Sequence, residues 1–368
     1  MRLMGPMGPM RLMRPMRLIG LMWLMGLMSG CKGELTIAPD PVETGVPISF
    51  IGQELEEQTV TKAALSESAT SFTVWGYKNM SYSAGEYGGL QTVFPGYNVN
   101  WSSGSAATTT SNSNGWEYVG QEIGGAPEQT IKYWDWGAVA YRFFGVTTPN
   151  EADKPHMEYL TTPNNAYEIT MTANAENMAM TPYYSRLWFS TGNAEVYPTR
   201  LFGRPVQLEF LKPFARVRFL YKFANPSGEL PEPILEDAQF KPMSGAISLK
   251  GTFTVNYPLD GEGLSETWET SDITRTMLAF TVAYTEVNKM WYTVLPAKGQ
   301  GAYILTLRVN GEEHSCTVPA AYMNWLPNYQ YTYVFKVSEE GGVELDSYNA
   351  AYTDWKEGSE GEQAFYNW

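Results

Sequence analysis

The sequence predicts an all-β protein, and three observations lead to this prediction. Aromatic residues make up 14% of the 368 residues, with 24 Tyr and 12 Trp, and such side chains favour strands. Short segments alternate between apolar and polar residues and end at Gly, Pro or Asn-Gly signals. Helical periodicity is almost absent. Many short strands of this kind indicate antiparallel β-sandwiches.

The first half of the chain contains two well-patterned strand segments. Residues 71–77 alternate and are stopped by glycines, and residues 138–146 form a near-continuous apolar run with the length of a buried sandwich strand. Residues 48–51 supply a weaker strand. Residues 81–115, rich in Gly, Ser, Thr and Asn, are predicted to form long loops with short strands, and one short helix is predicted within residues 174–190.

A second β pattern begins after a break at Arg200–Pro205. Residues 206–211 are predicted to form a strand. Residues 215–223 alternate, which predicts a strand with one buried face and one mostly solvent-exposed face. Asn310-Gly311 is a strong signal for a two-residue hairpin. A further alternating strand is predicted at residues 329–337.

These patterns predict two antiparallel β-sandwich domains. The 338 residues that follow residue 30 are enough for two domains. We place the first domain at residues 48–202 and the second, which ends in a C-terminal tail, at residues 203–368.

The first thirty residues have the pattern of a secretory signal. They contain four Arg and no acidic residue, continue as an uncharged apolar stretch at 18–28, and close on Ser29-Gly30-Cys31. The apolar stretch is shorter than the ~20 residues of a membrane-spanning helix. Small residues followed by Cys resemble a bacterial lipobox, so we predict that Cys31 is lipidated and that residues 31–47 form a tether. The alternative is an ordinary signal peptide that happens to be followed by a Cys.

The charge of the chain restricts its partners. The whole chain carries a net charge of −14, and without the four Arg of residues 1–30 its 21 Lys and Arg face 39 Asp and Glu, which gives −18. Such acidity argues against binding to nucleic acid or to an anionic membrane surface. If Cys31 is lipidated, Cys316 is the only remaining thiol, so no disulfide within the chain is predicted.

Catalytic and metal-binding motifs are almost absent from the sequence. His156 and His314 are isolated, and no nucleophile elbow, phosphate loop or dinucleotide fingerprint is present. Cys316 lies in a predicted strand and is expected to be a buried, inert thiol. A pair of carboxylates for glycoside hydrolysis is left as an open alternative, because a sequence does not give the distance between two carboxylates. We therefore predict no enzyme activity, cofactor or metal.

Four Trp residues suggest a second possible function, the binding of sugars. Trp101, Trp116, Trp134 and Trp136 fall in one aromatic-rich region and are candidates for a platform on which sugars stack. The alternative is that they form sandwich core and strand-end packing.

An ordered set of motifs resembles the fimbrillin family of Bacteroidales, the type V pilins and their fimbrillin-like relatives. After the lipobox-like segment, the motifs are Thr61-Lys62-Ala63, the strand 72–77, Trp116-Glu117-Tyr118, Tyr133-Trp134, the strand 138–146, residues 210–220, Val294-Leu295-Pro296, residues 326–331 and Trp355. The resemblance spans most of the chain beyond residue 30.

The resemblance implies two transthyretin-like β-sandwich domains, exported as a lipoprotein and assembled on the cell surface into fimbriae. In such proteins a protease cuts after a basic residue, usually Arg, in the first strands, and a strand from a neighbouring subunit then fills the opened groove. Lys62 stands where Arg is common, so the implied cut lies between Lys62 and Ala63.

The resulting functional expectation is a structural or adhesive subunit of surface fimbriae, held at the outer membrane by its lipid anchor alone. Its partners would be other fimbrial subunits and a host or bacterial surface ligand. Residues 48–61 would be the removable first strands, and the donor strand would come from the C-terminal tail at 343–368. Alternatively the tail packs on its own domain. The competing function is a surface glycan-binding lipoprotein that uses exposed Trp and Tyr clusters.

Overall fold

β-Strands dominate the structure and confirm the all-β prediction. The computed structural model of the chain describes residues 45–54, 69–102, 109–122, 127–147, 156–160, 166–175, 181–192, 201–224, 228, 231–244, 247–259, 265–276, 278–279, 291–338 and 340–352. These residues form twenty strands, β1 to β20, and a short 3₁₀ helix at Ala320–Tyr322.

The largest sheet has eight strands and follows the order β1-β10-β8-β5-β2-β3-β4, with β9 paired to β5. Its strands are β1 (Phe50–Glu54), β2 (Ser71–Ser83), β3 (Glu86–Trp101), β4 (Trp116–Glu117), β5 (Ala140–Thr147), β8 (Tyr184–Ser185), β9 (Trp188–Thr191) and β10 (Val206–Leu211). Its main core contains Phe50, Phe72, Phe94 and Phe143.

The loops predicted for residues 81–115 are wrong over much of that range, because β3 is a strand of 16 residues. It forms a long hairpin with β2 through Ala84 and Gly85, which have φ angles of 54° and 90°. The pairing shifts register twice, and Gly89 and Gly96 also adopt positive φ. These irregularities interrupt the alternation by which a strand is recognised in a sequence.

A second sheet combines strands from both halves of the chain in the order β14-β13-β7-β6. Its strands are β6 (His156–Leu160), β7 (Ala166–Asn174), β13 (Ile247–Pro258) and β14 (Thr267–Thr276). This sheet packs on the largest one, where the rings of Phe144 and Tyr257 stack 4.1 Å apart. The boundary near residue 202 stays a prediction, and β7 and β13 pair across it.

Two further sheets enclose the C-terminal core. Their strands are β11 (Ala215–Phe223), β12 (Leu235–Pro242), β15 (Leu278–Ala279), β16 (Tyr292–Val294), β17 (Tyr303–Val309), β18 (Glu312–Val318), β19 (Tyr329–Val337) and β20 (Val343–Tyr352). The orders are β16-β11-β19-β20 and β15-β12-β17-β18. Asn310 and Gly311 have φ angles of 53° and 87° and join β17 to β18, which confirms the predicted hairpin.

Among the described strands two pairs are parallel, whereas the sequence predicted antiparallel sandwiches. β1 pairs with β10, and β11 pairs with β19. Parallel neighbours cannot be joined by a tight turn, so each pair brings together segments far apart in the sequence. For β1 this places the first described strand beside Val206–Leu211.

The short helix predicted within residues 174–190 is not found in the described part of that range, and residues 176–180 lie outside the described residues. β7 ends at Asn174, and β8 and β9 lie in the described part that follows. Tyr184 in β8 and Phe189 in β9 are buried. Packing against the sheets therefore determines the local structure of this segment.

Candidate functional site

The segment around β1 is bound on both of its sides. On one side β1 pairs in parallel with β10, and the amide of Val206 donates to the carbonyl of Ser49 at 2.8 Å. On the other side the amide of Ile48 donates to the carbonyl of Lys132 at 2.7 Å. We call the space between β10 and residues 132–134, occupied by residues 46–54, the first-strand slot.

Two apolar side chains fill the base of the first-strand slot. Ile48 and Phe50 are both fully buried. The Phe50 ring lies 5.0 Å from that of Phe94, 5.7 Å from Phe143 and 6.0 Å from Tyr118, all edge to face. These geometries are the preferred ones for aromatic pairs. Without β1, the slot would open onto a pocket lined by aromatic rings.

The side chain of Tyr118 connects the two sides of the first-strand slot. Its hydroxyl donates to the carbonyl of Ile48 at 3.0 Å and accepts from the amide of Lys132 at 3.1 Å. Burial raises the pKa of Tyr118 to about 12, so the hydroxyl keeps its proton at neutral pH. One side chain therefore joins the first strand to the segment on its other side.

Glu117 holds the loop that carries Tyr118. Its carboxylate accepts hydrogen bonds from the backbone and hydroxyl of Thr109 at 2.8 and 3.2 Å, from the Ser111 hydroxyl at 2.7 Å, and from the amides of Tyr118 and Val119 at 2.9 and 3.0 Å. Burial raises the pKa of Glu117, but these hydrogen bonds outweigh burial and hold it below its ordinary value.

Gln129 ties the same loop to the sheet. Its side-chain amide accepts from the Asn98 amide at 2.7 Å and donates to the Asn98 carbonyl at 2.9 Å, as an extra strand residue would. It also donates to the carbonyl of Tyr118. The sequence predicted none of these roles, because only the ordered motif Trp116-Glu117-Tyr118 drew attention to this region.

The processing sites predicted from the sequence, Cys31, Lys62 and Ala63, lie outside the described residues. Of the predicted removable segment 48–61, residues 48–54 occupy the first-strand slot. Lys62 follows the end of β1 by eight residues in the sequence. The lipidation and the cut stay predictions.

Two of the four Trp residues proposed for a sugar-stacking platform are buried and do not fit it. Trp116 and Trp134 are buried in the core of the largest sheet, and Trp101 packs edge to face on Trp116 at 5.4 Å. Trp136 is 54% exposed. Core packing, the reading that competed with the platform, therefore holds for Trp116 and Trp134.

The C-terminal residues 343–352 form β20, a strand at the end of its sheet. β20 pairs with β19 at nine positions, and Val343, Leu345 and Tyr348 pack against the C-terminal core. For residues 343–352 the structure therefore agrees with the alternative stated above, that the tail packs on its own domain. Residues 353–368, the rest of the predicted donor, lie outside the described part of the chain.

Other candidate groups are accounted for by packing. Cys316 is buried in β18, which confirms the expected burial, and this burial raises the pKa of its thiol. The described residues contain no group of three or more His, Cys, Asp or Glu side chains arranged to hold a metal ion. Within that same part of the chain, no helix has the length and apolar character needed to cross a membrane.

Comparison with known proteins gives distant structural likenesses. No family model matches the sequence, and no curated protein matches it. A fimbrial protein from Bacteroides vulgatus has a TM-score of 0.42 and 10% identity, with 83% of this chain and 99% of that chain covered. A fimbrial assembly protein from Parabacteroides distasonis has a TM-score of 0.38 and 10% identity, with coverages of 82% and 99%. At these values neither likeness assigns the chain to a family or a function.

Proposed function

We propose that the chain is a structural or adhesive subunit of cell-surface fimbriae that assembles by donor-strand exchange. The observation that best supports this proposal is the first-strand slot. A strand of five residues, near the N-terminal end of the described chain, fills an aromatic pocket with Phe50 and completes the edge of β10. A strand of this kind is separable from the rest of the fold by one cut behind it.

Removal of the first strand creates a strong site for another strand. The vacated positions of Ile48 and Phe50 each contribute ~1.5–3 kcal/mol when a large apolar side chain refills them. The unpaired backbone groups of β10 then recruit an extended segment, because main-chain hydrogen bonds give affinity and alternate side chains give specificity. The pocket selects large apolar residues two positions apart, as in Ile48 and Phe50.

The export route follows from the N-terminal pattern. In this proposal Cys31 is lipidated, the chain reaches the outer surface of the outer membrane, and a protease cuts between Lys62 and Ala63. The cut separates the lipid anchor and β1 from the remainder. The partners are further subunits of the fimbria, and no enzymatic role is proposed.

The C-terminal segment is the proposed donor strand, and the position of β20 limits the ways in which it can donate. Because residues 343–352 are held as a strand of their own sheet, donation requires either that β20 detaches or that residues 353–368 reach the neighbouring slot. Truncation after residue 352 and truncation after residue 342 distinguish these two routes.

The experiment treats purified protein with trypsin and follows both the new N-termini and the formation of oligomers. We expect a new N-terminus at Ala63 and oligomers that resist mild denaturant. A Lys62→Gln variant, which keeps β1 and the slot, should stay monomeric under the same treatment. An intact Lys62–Ala63 bond, or polymers formed equally well by Lys62→Gln, would exclude this mechanism.

A further inference from the structure

A short link in the chain joins the largest sheet to the sheets of the C-terminal core. β10 ends at Leu211 and β11 begins at Ala215, so the link consists of residues 212–214. β10 belongs to the largest sheet, whereas β11 pairs with β16 and β19. The link is therefore a direct connection from one part of the fold to the other.

Asn328 holds the link through both its backbone and its side chain. Its amide donates to the carbonyl of Phe214 at 2.7 Å, and its side-chain oxygen accepts from the amide of Lys212 at 3.1 Å. In the parallel ladder of β11 and β19, Arg216 pairs with Gln330. Phe214 and Asn328 each lie two residues before that pair. The two hydrogen bonds therefore extend the ladder from β11 towards β10.

The backbone of Asn328 has a conformation that few residue types adopt readily. Its φ angle is 67°, in the left-handed region that Gly and Asn tolerate best. The residue is 5% exposed, so water has little access to the hydrogen-bonding groups of its side chain. Removal of a buried acceptor of this kind leaves its donor without that partner, which is costly.

Two cores meet around the link. Phe214 is buried in the core between the largest sheet and the sheet of β7 and β13, which we call the inter-sheet core. Leu295 belongs to the same core, although its neighbour Val294 belongs to the C-terminal core. Tyr329, which follows Asn328, packs against both cores. The hydrogen bonds of Asn328 therefore lie where the two cores adjoin.

We propose that Asn328 and the link form a rigid joint, which makes the inter-sheet core and the C-terminal core unfold as one unit. The joint also has a consequence for assembly, which rests on the proposed function. β10 borders the first-strand slot, and β19 pairs with β20. The joint therefore fixes the proposed acceptor strand relative to the proposed donor strand.

Asn310 provides a matched control, because it makes the same kind of bonds at another place. Its φ is 53°, its amide donates to the carbonyl of Ile234 at 2.8 Å, and its side-chain oxygen accepts from the amide of Ile234 at 2.9 Å. Asn310 is exposed in the hairpin between β17 and β18, and Ile234 directly precedes β12 in the same sheet. Asn310→Ala therefore removes an equivalent bond without altering the joint.

The test follows urea unfolding of the purified chain by hydrogen exchange and mass spectrometry. Residues 253–257 of β13 report on the inter-sheet core, and β17 reports on the C-terminal core. The two unfolding midpoints should coincide in the wild type and separate in Asn328→Ala, where exchange at the Lys212 amide should also accelerate about tenfold. Asn328→Gly keeps the backbone conformation and the amide donor, so it should fold and give a smaller separation.

Three results would overturn the joint. The midpoints could already differ in the wild type, or they could stay together in both Asn328 variants. Asn310→Ala could also separate them as far as Asn328→Ala does. Because unfolding of the monomer does not require polymers, none of these results bears on the proposed assembly. A failure to form polymers, in turn, leaves the joint as proposed.

Discussion

The first and last described strands lie at the ends of their sheets but are held in opposite ways. β1 pairs with β10 at five parallel positions, whereas β20 pairs with β19 at nine antiparallel positions. The burial of the side chains shows the opposite trend. Phe50 in β1 and Ile48, two residues before it, are fully buried, while Leu345 and Tyr348 in β20 are only partly buried. β1 is therefore held mainly by side chains in a pocket, and β20 mainly by its backbone.

This difference suggests why the two strands suit different roles in the proposed assembly. A strand held by a pocket leaves a deep, selective vacancy when it is removed, as an acceptor requires. A strand held by backbone pairing carries hydrogen-bonding groups that any open edge satisfies, as a donor requires. The predictions below test whether the two strands differ in this way.

The largest effect is expected for Phe50→Ala. Because Phe50 is fully buried among three rings, truncation should lower the free energy of unfolding by ~3–5 kcal/mol. Urea denaturation followed by Trp fluorescence measures the change. Phe50→Leu, which keeps most of the apolar volume, should cost clearly less. If Leu345→Ala in β20 costs as much as Phe50→Ala, the contrast between the two strands is wrong.

A smaller effect, with a defined pH dependence, is expected for Glu117→Gln. The Gln side chain has an NH₂ group, a donor, where Glu117 has an acceptor oxygen that faces other donors. We therefore expect the free energy of unfolding to fall by ~2 kcal/mol at pH 7. The folded-state pKa of Glu117 lies below its ordinary value of 4.5. The ionised carboxylate therefore stabilises the fold above that pH, and the contribution is lost as the pH falls through the folded-state pKa.

Urea denaturation of both proteins at pH 7 and at pH 3 checks this expectation. The difference between wild type and Glu117→Gln should shrink at the lower pH. Glu128→Gln changes an exposed carboxylate in the same region and should alter stability by at most ~0.5 kcal/mol. A difference for Glu117→Gln that stays constant between the two pH values would contradict the role assigned to its charge.

The sequence predicted strands best where one face alternates regularly. Residues 206–211 form β10 with the predicted bounds, and residues 215–223 form β11. Arg142 shows the limit of local pattern, since the apolar run 138–146 predicted a buried strand but not how a cation fits into it. Its guanidinium is fully buried 4.9 Å from the Tyr87 ring and 4.8 Å from the Phe189 ring.

The first-strand slot was predictable only in part, because a local sequence pattern does not identify contacts between distant segments. The weak strand at 48–51 was expected, but its parallel partner β10 lies about 150 residues away in the sequence. Alternation indicates which face of a strand is buried, and it does not identify the neighbouring strand. The hydroxyl of Tyr118 and the amide of Gln129 act through single hydrogen bonds, which leave no periodic signal.

A modest effect is expected for Tyr348→Ala in β20. The ring lies 5.2 Å from that of Tyr333 and 5.1 Å from that of Tyr322, but it is only partly buried. Truncation should therefore cost ~1–2 kcal/mol. Urea denaturation measures it, and the control is Glu344→Ala in the same strand, which removes only an exposed ion pair with Lys336. A cost equal to that of Phe50→Ala would mean that side chains hold β20 as firmly as β1.

The smallest effect on global stability is expected for Tyr118→Phe, which removes one hydroxyl from the first-strand slot. The loss of its hydrogen bonds to Ile48 and Lys132 should cost ~1 kcal/mol, but the effect should be concentrated at the first-strand slot. Hydrogen exchange should therefore accelerate at the Ile48 amide, which donates to Lys132, more than at amides of β19. Tyr82→Phe, at an exposed ring, serves as the control. If exchange accelerates equally at the Ile48 amide and in β19, Tyr118 stabilises the whole fold and not the first-strand slot in particular.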